Sequence, residues 1–229
     1  MGKQIDDIAV IVQARLSSER CLYKMIKPFA GTTLSDICIQ KILSSNIVSQ
    51  KNFYFSVYEP ELIDIGHKYG VNIFNRSKES ASSEGTPLGE MYEWWNKLDY
   101  KYCVLINACA PFLKIETIDK FIEFYLNSDS DGLFGVIEKK NYFWDFNHKL
   151  LTPLIEDCMN TKTVQITYEA AHCLYAGKMS EIGNGIWMGD LNNGDVELFV
   201  MNNEFETFDI DYSWQFNVAE QLYKGNIEL

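Results

Sequence analysis

Five short apolar runs recur along the chain, each followed by a segment with helical spacing, and this alternation limits the fold more than any other feature. Ile8 to Val12 read IAVIV, apolar at every position, as expected of a strand covered on both faces. FYFSV (Phe53 to Val57), VNIF (from Val71), YCVLIN (Tyr102 to Asn107) and GLFGVIE (from Gly132) follow. Between them, TLSDICIQKIL opens on a capping-box-like Thr33/Asp36 and places Leu34, Ile37, Cys38 and Ile42 on one helical face. PELIDIGHKYG has Pro60 in its first turn and Gly70 just past its end. LGEMYEWWNKL is expected to be a helix, and ACAPF leads into another carrying Ile118, Phe121, Ile122 and Tyr125. Strand and helix alternating in this way predict an α/β fold, a Rossmann-like, doubly wound and mostly parallel sheet.

The whole chain, 1–229, is expected to be one domain. Its pattern lapses over 139–170, which are aromatic but aperiodic and read as an excursion that pairs with a second subunit or covers a site. AHCLYAG, VELFVM and a closing segment, ETFDIDYSWQFNVAEQLYKG, complete the fold. The last is expected to be a short strand feeding a helix, with Trp214, Val218 and Leu222 as its buried stripe. The six cysteines include no CxxC pair and read as reduced thiols of a cytoplasmic protein. No signal peptide and no apolar run long enough to span a membrane are expected. With a formal net charge of −12, a general nucleic-acid-binding role is not expected either.

Against that acidity, the segment after the first strand is conspicuous. Arg15, Arg20, Lys24 and Lys27 face one acid, Glu19. Arginine forks suit phosphate oxygens, and lysine supplies a point charge. The segment has neither a Walker nor a GxGxxG pattern. In open α/β sheets ligands bind beyond the carboxyl ends of the strands. Two other unusual segments fall at such ends, the NACAP turn from Asn107 and the DID of Asp209 to Asp211. On a strand, Asp209 and Asp211 would share a face. Two adjacent carboxylates call for a cation between them, and Mg²⁺ takes one or two carboxylates plus phosphate oxygens. The plainer alternative makes Asp211 a helix cap. His67, His148 and His172 have no metal-ligand spacing and read as ordinary core or surface residues, and Cys109 as a buried thiol.

IAVIVQARLSSERCLYKMIKPF resembles the first motif of the acylneuraminate cytidylyltransferases, and is closer still to their relatives in spore-coat polysaccharide synthesis. Gln13, Ala14, Arg15, Ser18, Arg20 and Lys24 match Q-A-R-x-x-S-x-R-x-x-x-K. YGVNIFNRSKESAS is similar to the strand-Arg-Ser segment of that family and puts Arg76 and Ser82 on family positions. LINACAPFL resembles L-x-Q-P-T-S-P-L, and FDIDYSWQFNVAEQL the terminal D-I-D strand and helix. The resemblance implies a homodimeric nucleotidyltransferase that transfers CMP from CTP to an acidic sugar, sialic-acid-like or another 2-keto-3-deoxy sugar, releasing pyrophosphate, for surface polysaccharide synthesis. It implies Arg15 and Lys24 as the catalytic cations on the triphosphate. Gln13, Ala14, Ser18, Arg20, Arg76 and Ser82 would complete the nucleotide site, Asn107 would bind the sugar, and Asp209 and Asp211 would hold Mg²⁺. The chain departs from the family at Cys21-Leu22-Tyr23, Cys109-Ala110 and Ala171-His172. Most of these departures lie on the acceptor side, so the resemblance supports nucleotide chemistry more strongly than sialic acid. A nucleotidyltransferase for another acceptor or nucleotide, a DxD-type glycosyltransferase and a non-catalytic nucleotide-binding relative are the alternatives.

Overall fold

A computed structural model describes residues 2–82, 86–152, 160–190 and 196–225. Seven strands form one sheet: β1 (Ile8–Gln13), β2 (Phe53–Val57), β3 (Asn72–Asn75), β4 (Tyr102–Ile106), β5 (Gly132–Lys139), β6 (Thr167–Lys178) and β7 (Val196–Val200). Their order is β3-β2-β1-β4-β6-β5-β7. Strand β1 pairs parallel with both β2 and β4, so the chain winds outward in both directions from the β1/β4 seam. Strand β6 alone runs against its neighbours β4 and β5, and β7 is parallel to β5. The sheet is therefore mostly parallel, and its switch point lies at β1/β4, where crevices form in such folds.

The apolar runs do what their composition requires. Ile8, Val10 and Val12 enter one core and Ala9 and Ile11 the other, all fully buried. Helices α1 (Leu34–Leu43), α2 (Pro60–Tyr69) and α4 (Ile115–Asn127) follow β1, β2 and β4. Asp36 of α1 holds the start of its helix to α2. It accepts from Thr33 Oγ1 at 2.6 Å and from Lys68 Nζ and Tyr69 Oη, each at 2.7 Å. Gly70 ends α2 with φ 65, a left-handed conformation that costs glycine little.

Three expectations need correction. The helix expected over 88–98 breaks into α3 (Leu88–Met91) and a 3₁₀ turn, Glu93–Asn96. The break lets two neighbouring indoles find different partners: Trp94 Nε1 donates to Gln13 Oε1 at 3.0 Å and Trp95 Nε1 to the Gly89 carbonyl at 3.1 Å. A short helix, α5 (Met179–Gly183), packs beside them. Helix α6 (Ser213–Lys224) is present, but its buried residues are Phe216 and Ala219. Trp214 and Val218 are exposed, because Phe29 packs edge-on against Phe216 and Tyr223 and sets the rotation of the helix. Asp209 to Asp211 form no strand. The excursion leaves the β5/β6 ladder at Lys139↔Thr167, close to its expected limits, although 153–159 lie outside the described residues. Five cysteines are free thiols, and Cys158 is among the residues not described.

Candidate active site

A cleft of about 980 Å³ opens at the carboxyl ends of β1 and β4. Gln13, Ala14, Arg15, Ser18, Arg20, Lys24, Arg76, Ser82, Asn107, Asp209 and Asp211 all line it, so every site residue expected from the sequence meets in one place.

The β1 side is built by anchoring a cation-rich loop from several directions. Glu59, just before α2, accepts from the Leu16 backbone N–H at 2.8 Å. Gln13 is held by Trp94, and its Oε1 also accepts from Ser56 Oγ at 3.4 Å. Arg15 donates to the Ser82 carbonyl at 2.7 Å. Arg76, buried after β3, donates to Ser80 Oγ at 3.1 Å, to the Ser80 carbonyl, and to the Ala14 carbonyl at 3.4 Å. Burial, with the nearby charge of Arg15, pushes Arg76 down to about 10. Arg76 thus props the loop from beneath while Arg15 stands over the cleft.

Lys24 joins the loop to the aspartate segment. Its ammonium donates to the Ile210 carbonyl at 2.5 Å and lies 3.6 Å from Asp211 Oδ1. Burial works to lower its pKa, but the Cys109 thiol and the carboxylates of Asp209 and Asp211 outweigh it and raise it. Arg20 meets Asp211 Oδ2 at 2.9 Å and stacks on Tyr212, 5.0 Å from the ring centroid. Ile210 is fully buried between the two aspartates, and its N–H donates to the Cys109 carbonyl at 3.0 Å. That anchor puts both carboxyl groups in the cleft without a strand. Asp211 is not the helix cap: Tyr212 occupies that position, and Gln215 Oε1 accepts from the Asp211 and Tyr212 N–H groups at 2.8 and 2.7 Å.

Asp209 is the more unusual carboxylate. Its Oδ1 is buried and has no hydrogen-bond partner. Burial raises its pKa, with Lys24 pulling the other way. A buried acceptor without a donor, beside a second carboxylate, fits a hard cation such as Mg²⁺. Among the described residues no group of three or more His, Cys, Asp or Glu is gathered to hold a metal. Such a cation would therefore take its remaining ligands from phosphate oxygens and water.

The opposite wall was largely missed by sequence reasoning. Tyr92, Cys109, His172, Tyr175 and Trp187 line it. Tyr92 and Trp187 stack at 4.2 Å with 21° between their planes. Cys109 is half-buried, and burial pushes its thiol up to about 11, so it is a poor nucleophile at neutral pH. Asn107 ties the turn after β4 to β6. Its Oδ1 accepts from the Cys109 N–H at 2.8 Å, and its amide donates to the His172 carbonyl at 2.9 Å. Nothing in the spacing of these residues signals a shared cleft, because they come from four separate elements.

Fold and cleft together define a Rossmann-like nucleotidyltransferase fold. The cytidylyltransferase family model matches residues 9–176, and the chain belongs to that family. The chain is 27% identical over 139 residues to a 3-deoxy-manno-octulosonate cytidylyltransferase of Rickettsia felis, which covers 59% of this chain and 54% of the relative. It is 28% identical over 140 residues to the corresponding protein of Rickettsia akari, again covering 59% and 54%. The chain thus matches about half the length of these curated relatives. In three dimensions it resembles CMP:2-keto-3-deoxy-manno-octonic acid synthetase complexed with CTP, with a TM-score of 0.69 and 10% identity over 96% of this chain and 99% of the other. A cytidylyltransferase from Leptospira borgpetersenii superposes with a TM-score of 0.66 and 12% identity, covering 97% and 88%. These likenesses establish the fold. The acylneuraminate branch that the sequence motifs resemble is not the one these relatives represent. Among the described residues no helix is long and apolar enough to cross a membrane.

Proposed function

We propose that this protein transfers CMP from CTP to a 2-keto-3-deoxy sugar acid and releases pyrophosphate. The observation that carries the reading is the meeting of Arg15, Arg20 and Lys24 with Asp209 and Asp211 in one crevice at the β1/β4 switch point. Membership in the cytidylyltransferase family selects the nucleotide, and the 3-deoxy-manno-octulosonate relatives favour the sugar acid over an acylneuraminate.

The chemistry is largely positioning and charge neutralisation. A sugar hydroxyl oxygen forms a bond to the α-phosphorus and gives up its proton to water, the bond from that phosphorus to the bridging oxygen breaks, and the electron pair leaves with pyrophosphate. Arg15 and Lys24 stand where they offset charge on the triphosphate, and donors fixed in advance need no reorganisation as charge develops. Arg76 and Glu59 hold the loop in that pose. Asp209 and Asp211 would hold Mg²⁺, which supplies further neutralisation of phosphate charge when bound. Lys24 sits against both carboxylates and keeps the pair compatible with burial.

The excursion supports a second proposal, a homodimer. Trp144, Phe146, Leu151, Ile166 and Tyr168 are exposed there, and an apolar group of this kind suits a subunit contact. Light scattering should give about twice the 26.4 kDa chain mass, and a monomer at micromolar concentration would make the segment a cover for the cleft instead. For the nucleotide, CTP should raise the melting temperature more than ATP, GTP or UTP in the presence of Mg²⁺. Equal shifts for all four would leave an anion site without cytidine selectivity.

A further inference from the structure

We propose that Lys41 of α1 is a positioning residue for the Asp209/Asp211 pair: its amine fixes the turn after β4, and that turn fixes the backbone between the two carboxylates. The inference rests on the cytidylyl-transfer reading above and adds to it a residue that sets the carboxylates without touching them.

Lys41 shares a face of its helix with Ile37 and Cys38, one turn back, which are buried. Lys41 itself is half-buried. Burial lowers its pKa, with Cys38 and Glu206 pulling the other way. A methionine would fill the same space without taking an amine out of water, so packing alone does not call for a lysine. The amine is used as a donor. It reaches the Pro111 carbonyl at 3.1 Å and the Ala110 carbonyl at 3.4 Å. Pro111 brings no N–H, so the turn has one backbone donor fewer, and a side chain from α1 supplies one instead.

The turn in its place carries the aspartate segment at two points. The Lys114 N–H donates to Glu206 Oε2, and the Ile210 N–H to the Cys109 carbonyl, both at 3.0 Å. Glu206 is buried, so the first tie is shielded from water. Asp209 to Asp211 belong to no strand, and a sheet ladder therefore does not hold them. Asp209 is joined directly to the Ile210 N–H, so a tilt of the Cys109 carbonyl moves its carboxylate. From the other wall Lys24 donates to the Ile210 carbonyl at 2.5 Å. Two lysines thus grip the residue between the aspartates: Lys24 directly on its carbonyl, and Lys41 through the Ala110 and Pro111 carbonyls and Cys109 on its N–H. A displacement of about 1 Å at a reacting centre can cost about a hundredfold in rate, which gives so remote a contact its leverage.

Lys41→Met keeps the apolar stem and removes the donor, while Lys41→Arg keeps a donor in place. In Lys41→Met, amide hydrogen exchange at Ile210 should quicken about tenfold, and exchange at Val10 within β1 should not change. Titrated with CTP present, Mn²⁺ should bind about tenfold more weakly than to the wild type, with Asp209→Asn marking complete loss of the site. The kcat for pyrophosphate release should fall about ten- to a hundredfold while the CTP KM stays within about twofold. Lys41→Arg should recover most of each change. Unchanged exchange at Ile210 in Lys41→Met would overturn the proposal. Faster exchange with unchanged Mn²⁺ affinity would overturn it too, because Lys41 would then steady the turn without setting the carboxylates. So would a wild-type protein whose Mn²⁺ binding is no stronger than that of Asp209→Asn. Exchange and metal binding need no turnover. If no nucleotide supports pyrophosphate release, the cytidylyl reading falls while these two measurements still decide the role of Lys41.

Discussion

The two walls of the cleft are built on different principles. The β1 wall is a loop between parallel elements, charged and held by Glu59, Arg76 and Ser82 from neighbouring connections. The β4/β6 wall is an antiparallel pairing distorted by a bulge, with aromatic and amide groups in place of arginines. One wall supplies charge and the other shape and hydrogen bonds. A triphosphate needs the first kind of surface and a sugar the second, so under the proposed function the division of the walls would also divide nucleotide from acceptor.

The largest effects are expected where the walls meet. Asp209→Asn should lower turnover about a thousandfold, the several kcal/mol that a cation-holding carboxylate contributes. It should not lower the melting temperature of the metal-free protein. Asp209 is half-buried, with a buried, unpartnered Oδ1 and a raised pKa. A raised carboxyl pKa means that the folded state holds the proton more tightly, so wild-type stability declines as pH rises from the unfolded pKa through the folded one. The Asn variant escapes that decline. Lys24→Met should differ from it by losing both turnover, about a hundred- to a thousandfold, and stability, since two carboxylates are left without their ammonium. Kinetics and melting curves of the two variants test this; equal stability would mean that Lys24 does not compensate the pair.

Within the β1 wall, Arg15→Ala should cost about ten- to a hundredfold in CTP-dependent turnover, the loss of one charge-assisted contact. Lys51→Ala, exposed and paired with Asp6 far from the cleft, should remain near wild type. Lys41 is no neutral control: from α1 it donates to the Pro111 carbonyl at 3.1 Å and so steadies the turn after β4. Similar losses at Arg15 and Lys51 would reduce the wall to an unspecific charge effect.

The smallest expected effect lies where the cation loop leaves the cleft. Burial acts to raise the Asp36 pKa, but hydrogen bonds from Lys68, Thr33 and Tyr69 outweigh it and lower it. A lowered carboxyl pKa gives stability that is present above the ordinary value of about 3.9 and is lost as pH falls through the folded value. Asp36→Asn should therefore melt below wild type at pH 7, by about 1 to 3 kcal/mol, and the gap should close in acid. A gap independent of pH would assign the loss to packing.

The sequence carried the β1 wall far better than the other, for a physical reason. Buried parallel strands read as unbroken apolar runs, and a cation loop in an acidic chain stands out against its background. The cation loop of Arg15, Arg20 and Lys24 could therefore be located before any geometry was known, while Gln13 and Arg76 came only with the family resemblance. The β6 bulge depends on which residue pairs with which across strands distant in sequence, and no periodicity encodes that. His172 accordingly read as an ordinary histidine, and Asn107 as a sugar ligand without sign of its role in holding the bulge. The α6 stripe failed for a related reason: Phe216 and Val218 are both apolar, and packing against Phe29 chose between them. Asp209 and Asp211 were found by their spacing, although the strand invoked to align them is an irregular segment pinned by Ile210.

The account stands most directly on pyrophosphate release. With Mg²⁺ and 3-deoxy-manno-octulosonate, CTP should support release well above ATP, GTP and UTP, and Asp209→Asn should abolish most of it. Release that is equal with all four nucleotides, or that persists undiminished in Asp209→Asn, would contradict a cytidylyl transfer carried by this cleft.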